Sequence, residues 1–325
     1  MNLSAYEIFE LVSMAVLVLM VIGDLLIIMA RPHIPSNRES TAWVLFYAGL
    51  ATAFGLVLWN LFGGTRANEF FAGWLTEYSL SLDNLFVFLI LMARFNVPKR
   101  LQQEVLMVGI VMALVLRGAF ILVGAALVEN FSFIFYIFGA FLLYTAWHQA
   151  FRTESDDEES ESKLILWLRK RVEVSEDFDG IKLRTTVNGK RMFTPALVVF
   201  IAIAATDVMF AFDSIPAIFG ITTDPFIVFT ANVFALMGLR QLYFLLGSLV
   251  DKLHYLKYGI AFILGFIGVK LVFHAMHENE LPFINGGQHI EWAPDITTET
   301  SLFVIAGSIS LAAIASYVRL ARQKK

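Results

Sequence analysis

Two short stretches hold acids where acids are costly. Residues 77–84 read EYSLSLDN and residues 207–214 read DVMFAFDS. Each is an acid (Glu77, Asp207), five residues, an aspartate (Asp83, Asp213) and then a small amide or hydroxyl (Asn84, Ser214), set in an apolar run. A charged side chain at the centre of a membrane helix costs about 2.5–3.5 kcal/mol on insertion scales, so each acid should pair, protonate or bind a cation. Residues six apart on an α-helix differ by roughly 120° around the axis and about 9 Å along it. One helix therefore cannot close a coordination shell with both of its acids, but two crossing helices can. The spacing predicts Asp83, Asn84, Asp213 and Ser214 at a crossing point, with Glu77 and Asp207 nearer opposite mouths as relay sites or proton acceptors. Pro216 should free the carbonyl of Phe212, four residues back, as a further oxygen ligand. A shell of carboxylate, amide, hydroxyl and carbonyl is hard oxygen ligation, suited to Mn²⁺, Ca²⁺ or Mg²⁺ rather than Zn²⁺ or Cu⁺. Met209, between the acids, is either one soft contact favouring Mn²⁺ or plain packing.

A structural alternative stands beside this. Arg117, Arg240 and Lys270 are the basic residues inside apolar runs, and the acids could form fixed ion pairs with them. Arg117 and Arg240 are either counter-ions that hold the acids when no cation is bound, or arginines that cap carbonyls. Asp24 is either a helix–helix hydrogen-bonding group or a pathway residue. His274 and His277, with Glu278, could catch metal, although a histidine pair at this spacing is usually incidental.

The elements that must carry these residues follow from composition. The 325-residue chain is 58% hydrophobic and 16% charged, with 31 Phe, no Cys and a net charge of -4; its mean hydropathy is +0.70. Soluble domains average about 45–50% apolar and about 25% charged. These values exclude a soluble globular enzyme, a nucleic-acid binder and a disordered chain, and leave an all-α, polytopic membrane bundle. A bilayer core about 30 Å thick needs roughly 20 apolar residues per helix. Nine segments qualify: 7–29, 41–62, 71–92, 104–128, 131–150, 195–219, 226–249, 257–276 and 300–318. The first lacks a basic lead and carries Glu7 and Glu10, so it reads as a retained span rather than a cleaved signal. Twenty of the 24 Lys and Arg fall in connectors on one side and only Arg66 on the other. The positive-inside rule then sets the N-terminus outside and the C-terminus in the cytoplasm.

Two connectors are long. Residues 151–194 form a cytoplasmic insert with an acidic run, Glu154–Glu161, an amphipathic stretch, and Asn188-Gly189 between β-leaning residues, a hairpin signal. Residues 277–299 form an acidic outer connector.

The paired acids belong to a longer repeat. Arg117…Gly124 in the fourth span matches Arg240…Gly247 in the seventh, and Gly139 in the fifth matches Gly268 in the eighth. Spans 3–5 thus recur as spans 6–8. Three is odd, so the second copy enters from the opposite face, as in transporters whose sites lie at the interface of inverted repeats. No Walker loop, zincin motif, nucleophile elbow or dinucleotide fingerprint occurs. The chain is expected to be no enzyme and to need no cofactor beyond a transported cation, with an ion gradient or the membrane potential as its energy source.

The stretches EYSLSLDNLFVF (77–88), AATDVMFAFDSIPAIF (204–219), TDPFIVFTANVFALMGLR (223–240) and YFLL (243–246) resemble the TerC integral membrane family, including its alkali-inducible Alx branch. The resemblance runs from the first span through the eighth. It implies a multi-pass protein of the bacterial inner membrane, similar in fold to the LysE exporters, that serves metal-ion homeostasis, chiefly Mn²⁺ export. By motif match it assigns the site to Glu77, Asp83, Asp207 and Asp213, with Asn84 and Ser214 beside them. The expected partners are the lipid bilayer, a divalent cation and candidate exported or translocation proteins, with no nucleic acid. Proton-coupled Mn²⁺ efflux is the first expectation. A metal-delivery partner for exported proteins and a Ca²⁺/H⁺ antiporter are the alternatives.

Overall fold

A computed structural model describes residues 4–30, 35–151, 174–175, 177–187, 190–246 and 255–323. The acidic run, the amphipathic stretch after it, the Asn188-Gly189 turn and Gly247 lie outside the described residues. The helices are α1 (Ala5–Ala30), α2 (Asn37–Phe62), α3 (Gly64–Arg94), α4 (Lys99–Asn130), α5 (Ile134–Phe151), α6 (Pro195–Phe219), α7 (Pro225–Leu236), α8 (Leu239–Leu246), α9 (Leu256–His277) and α10 (Thr298–Gln323). Among the described residues, nine helical segments are long and apolar enough to cross a membrane, with α7 and α8 together making one of them. The bundle turns Leu19, Leu45, Trp147 and Phe303 outward. Large apolar side chains on the exterior are what a lipid solvent permits and water does not. The strands β1 (Arg184–Val187) and β2 (Lys190–Phe193) pair antiparallel, with Val187 opposite Lys190.

Local chemistry sets several helix ends. Ser36 caps α2 by accepting from the Glu39 N–H. Asp224 caps α7, its Oδ1 accepting from the N–H groups of Phe226 and Ile227 at 3.0 and 3.4 Å, and Pro225 follows at the first helical position. That pairing of an acidic cap with proline satisfies exposed donors and presets the backbone for a helix. Pro216 does not break α6. It sits in the last turn, where little helix remains to be kinked, and α6 runs unbroken to Phe219. The break comes one span later, where Met237 turns extended (φ -62°, ψ 129°) and Gly238 takes φ +85°. Only glycine adopts that conformation without strain.

The packing follows the repeat. α3 and α6 cross each other at the centre, α3 also packs on α7 as α6 packs on α4, and α5 lies along α9. The last pair meets at the two repeat-related glycines. A Cβ on Gly139 would stand 2.9 Å from the Gly268 carbonyl and 2.7 Å from Val272. A Cβ on Gly268 would stand 3.1 Å from the Gly139 carbonyl and 3.0 Å from Leu143. Each glycine meets the other and the residue four beyond it, as a two-fold axis between the copies requires. α1, α2 and α10 pack around this core, α2 and α10 directly on α3.

Candidate cation site

α3 and α6 bring their first acids, not their second, to the crossing. Glu77 is fully buried (0% exposed), and Asp207 and Arg117 are each 1% exposed. Arg117, from the middle of α4, donates from Nη1 to Glu77 Oε2 at 2.6 Å, and its Nε lies 3.5 Å from Asp207 Oδ1. Asn84 donates to the same Asp207 oxygen at 3.4 Å, and Asn232 of α7 donates to Glu77 Oε2 at 3.0 Å. Ser214 is buried against Glu77 without completing a hydrogen bond. With both carboxylates ionised, this buried cluster of two carboxylates and one guanidinium would carry one negative charge in excess; one bound proton makes it neutral. Glu77 Oε1, Asp207 Oδ2 and Asn84 Oδ1 are buried acceptors without a partner. Arg117 Nε and Nη2 and Ser214 Oγ in the same cluster also lack a hydrogen-bond partner. Each unmet buried polar group costs about 1–3 kcal/mol, so the cluster fits a site completed by a bound species or by another arrangement.

The sequence expectation inverts in one respect. Glu77 and Asp207, expected near the mouths, form the centre. Asp213 instead lies at the interface with α5, where it accepts from the Thr145 hydroxyl at 3.1 Å. The reason is the rotation of roughly 120° between acids six apart: the face that turns Asp207 to the crossing turns Asp213 aside. Asp83 lies about 9 Å along α3 from Glu77; its side chain is outside the described residues. Asn84 and Ser214 do reach the central cluster. Met209 is 57% exposed on the outer surface of α6, and Phe212 is exposed beside it, so Met209 has no place in the site.

Asn232 was not singled out from sequence. The signal available was its place as the one amide in the otherwise apolar run of α7. Among the described residues no three of His, Cys, Asp and Glu converge as a ready metal cage, so the centre offers two carboxylates supplemented by amide and hydroxyl oxygens.

The remaining candidates lie elsewhere. Asp24 accepts a 2.5 Å hydrogen bond from Tyr47, which joins α1 to α2. Arg240 stands just past the α7–α8 break, beside Asp24 at a small cavity. Lys270 donates to Ser301 on α10 at 3.2 Å. His274 lies 3.8 Å from Glu278 and edge-on to Phe135, while His277 offers its carbonyl to His289. The two histidines are thus engaged separately.

These features define a polytopic membrane protein built on an inverted repeat, with two carboxyl groups and an arginine buried where the repeats meet. The profile of the Integral membrane protein TerC family matches residues 62–325, and the chain belongs to that family. It is 46% identical over 299 residues to an uncharacterized membrane protein of Mycobacterium tuberculosis, covering 90% of this chain and 75% of the relative. It is 35% identical to an uncharacterized membrane protein of Myxococcus xanthus (94% and 90% covered). It is 40% identical to Alx of Escherichia coli, named as a candidate membrane-bound redox modulator (74% and 77% covered). No solved structure matches the chain.

Proposed function

We propose that the protein is a secondary transporter of divalent cations in a bacterial inner membrane, carrying Mn²⁺ out of the cytoplasm in exchange for protons. The observation that carries this reading is the Glu77–Asp207 pair: two repeat-related carboxylates, wholly buried, that share one arginine and keep acceptor oxygens without a partner. A purely structural ion pair would be expected to neutralise itself and close its hydrogen bonds, since a half-satisfied buried network is worse than an apolar core. The oxygen donors favour a hard cation. Export as the direction, and Mn²⁺ as the preferred ion, are drawn from the family resemblance. The name given to Alx raises a redox reading, but this chain has no cysteine with which to exchange disulfides.

The test is flux by the purified protein in proteoliposomes across Mn²⁺, Ca²⁺ and Mg²⁺, with and without a pH gradient. Mn²⁺-dependent flux that Asp207→Asn abolishes is the expected result. Flux of none of these ions by the intact protein sinks the proposal.

A further inference from the structure

The sequence repeat that pairs Glu77 with Asp207 also pairs Arg117 with Arg240. Glu77 and Asp207 share one guanidinium at the axis, and Gly139 meets Gly268 on it. By symmetry alone Arg240 has an equal claim on the same two carboxylates. It does not exercise it here. α4 runs straight through Arg117, whereas its counterpart is broken at Met237-Gly238, and Arg240 follows two residues after the glycine.

What Arg240 meets instead comes from outside the repeat. It lines a cavity of about 30 Å³ with Asp24 of α1 and Gln241 of α8 and is attracted by Asp24. Asp24 is held in place by the Tyr47 hydroxyl of α2. Gln241 is 1% exposed, yet both its amide nitrogen and its amide oxygen lack a partner. A buried amide with neither end satisfied is costly in a site that has one fixed arrangement. It fits a site whose polar contacts are completed in another arrangement, and the left-handed Gly238 supplies a hinge beside it. Charge gives the reason for separate places. Both arginines on Glu77 and Asp207 would leave the centre neutral, with nothing to attract a cation.

We propose that Arg240 is a positioning residue, the counter-ion that the alternate, pseudo-symmetric conformation sets on Glu77 and Asp207 when Arg117 withdraws, and that the Asp24–Tyr47 pair is where it rests in the conformation seen. The inference rests on the transport reading and adds to it the element that exchanges. Asp24 is then the anion that stabilises one of two conformations rather than a ligand of the cation.

The experiment exchanges the charges. In the double variant Asp24→Arg/Arg240→Asp the two opposite charges at the cavity are kept, but position 240 can no longer serve two carboxylates. Each single variant is expected to lower the melting temperature. The double variant should return it to within a few degrees of the parent, while Mn²⁺ flux stays below about a tenth of the parent's and Arg240→Lys alone keeps a measurable part of it. Full flux in the double variant overturns the proposal, because the pair is then only structural. If the double variant does not fold, the absence of native cysteine gives a second route. Val21→Cys/Leu236→Cys places two thiols on the walls of the same cavity. Bridging them with a cleavable bifunctional reagent should stop flux, and cleavage should restore it; undiminished flux in the bridged protein refutes the exchange. An unmodified protein that carries no cation at all defeats the transport reading itself, an outcome distinct from equal flux in parent and double variant.

Discussion

Replacing Arg117 with methionine separates a structural arginine from one that keeps a cation's seat. The substitution roughly preserves volume and removes the single positive charge from a centre where Arg117 lies 2.6 Å from Glu77 and 3.5 Å from Asp207. Leaving buried charges without their partner costs about 3–5 kcal/mol. With an unfolding entropy of about 2.1 cal/mol/K per residue, the chain should lose roughly 4–7 °C in melting temperature. The same deletion opens the seat. A unit charge pair 4 Å apart at an effective dielectric of 20 is worth about 4 kcal/mol, the upper limit of what a cation forfeits by displacing the guanidinium. Recovering even about 1.4 kcal/mol of that raises apparent cation affinity ten-fold. At 100-fold excess over its dissociation constant, a cation restores about 2.7 kcal/mol, most of the loss. The assay is thermal unfolding of purified parent and Arg117→Met during Mn²⁺, Ca²⁺ and Mg²⁺ titrations. The expected outcome is a variant that melts early without metal, recovers with Mn²⁺ and reaches half-recovery at no more than a tenth of the parent's midpoint. Adding Glu77→Gln and Asp207→Asn should restore stability and remove the metal response. An Arg117→Met protein that melts early and that none of the three cations rescues would show the arginine to be structural, and the cation site with it would be lost.

Asn232→Ala removes a donor to Glu77 without changing the charge count. Hydrogen bonds to charged groups are worth about 1.5–3 kcal/mol, so the Mn²⁺ concentration for half-maximal flux should shift roughly ten-fold or more; an unchanged midpoint removes Asn232 from the site. Gly139→Ala and Gly268→Ala each force a Cβ to within 2.9 and 3.1 Å of the opposing carbonyl. Each should cost about 1–3 kcal/mol of stability, whereas Gly265→Ala, whose Cβ would meet Ala146 at 3.6 Å, should cause no loss; equal effects at all three positions contradict the axial crossing. In the hairpin region, hydrogen bonds from Lys182 and Thr185 hold the Asp179 carboxyl below its ordinary range. A depressed carboxylate contributes above its unfolded pKa and loses that contribution as pH falls through the folded one. Amide exchange in the hairpin should therefore accelerate relative to intrinsic rates below about pH 4, and Asp179→Asn should remove the effect.

The nine spans were legible because the bilayer imposes a length, and the sixth was bounded at 195–219 without error. The third was cut short at residue 71 because Arg66 and Glu69 lower its apolar average; in the structure only Gly63 separates α3 from α2. The repeat was legible because its acids and glycines recur in order. Which acids meet was not. Helical arithmetic gives the angle between Glu77 and Asp83, but not which of the two faces the partner helix; that depends on how α4 and α7 wedge against the crossing. Pro216 suggested a break where little helix remained to be broken, while the break at Gly238 lay inside a run apolar enough to read as one continuous span. Asn232 lacked a sequence partner at helical spacing, because its partner, Glu77, is 155 residues away.

Charge conservation at the centre ties these observations to coupling. With Arg117 seated and both carboxylates ionised, Glu77 and Asp207 leave one negative charge; a divalent cation added beside the arginine would leave one positive charge among buried side chains. A buried unbalanced charge costs several kcal/mol, so cation and guanidinium should occupy the centre by turns. A divalent cation alone brings the two carboxylates to neutrality. A single proton does the same once Arg117 has returned. On the transport reading proposed above, the centre would alternate between one M²⁺, and one proton with the arginine, which predicts an exchange ratio of one proton per cation. Each turnover that carries M²⁺ one way and H⁺ the other moves one net charge across the membrane. Flux by the parent protein should therefore respond to an imposed potential and saturate at one proton per Mn²⁺ when both are measured in the same vesicles. Arg117→Met changes the arithmetic in the conformation that seats Arg117: there Arg240 stays beside Asp24, no guanidinium returns to the centre, and neutrality without metal needs two protons. Its transport should shift to two protons per Mn²⁺ and become insensitive to the potential. A ratio that is the same in parent and variant would mean that the arginine takes no part in the exchange, whatever else it holds together.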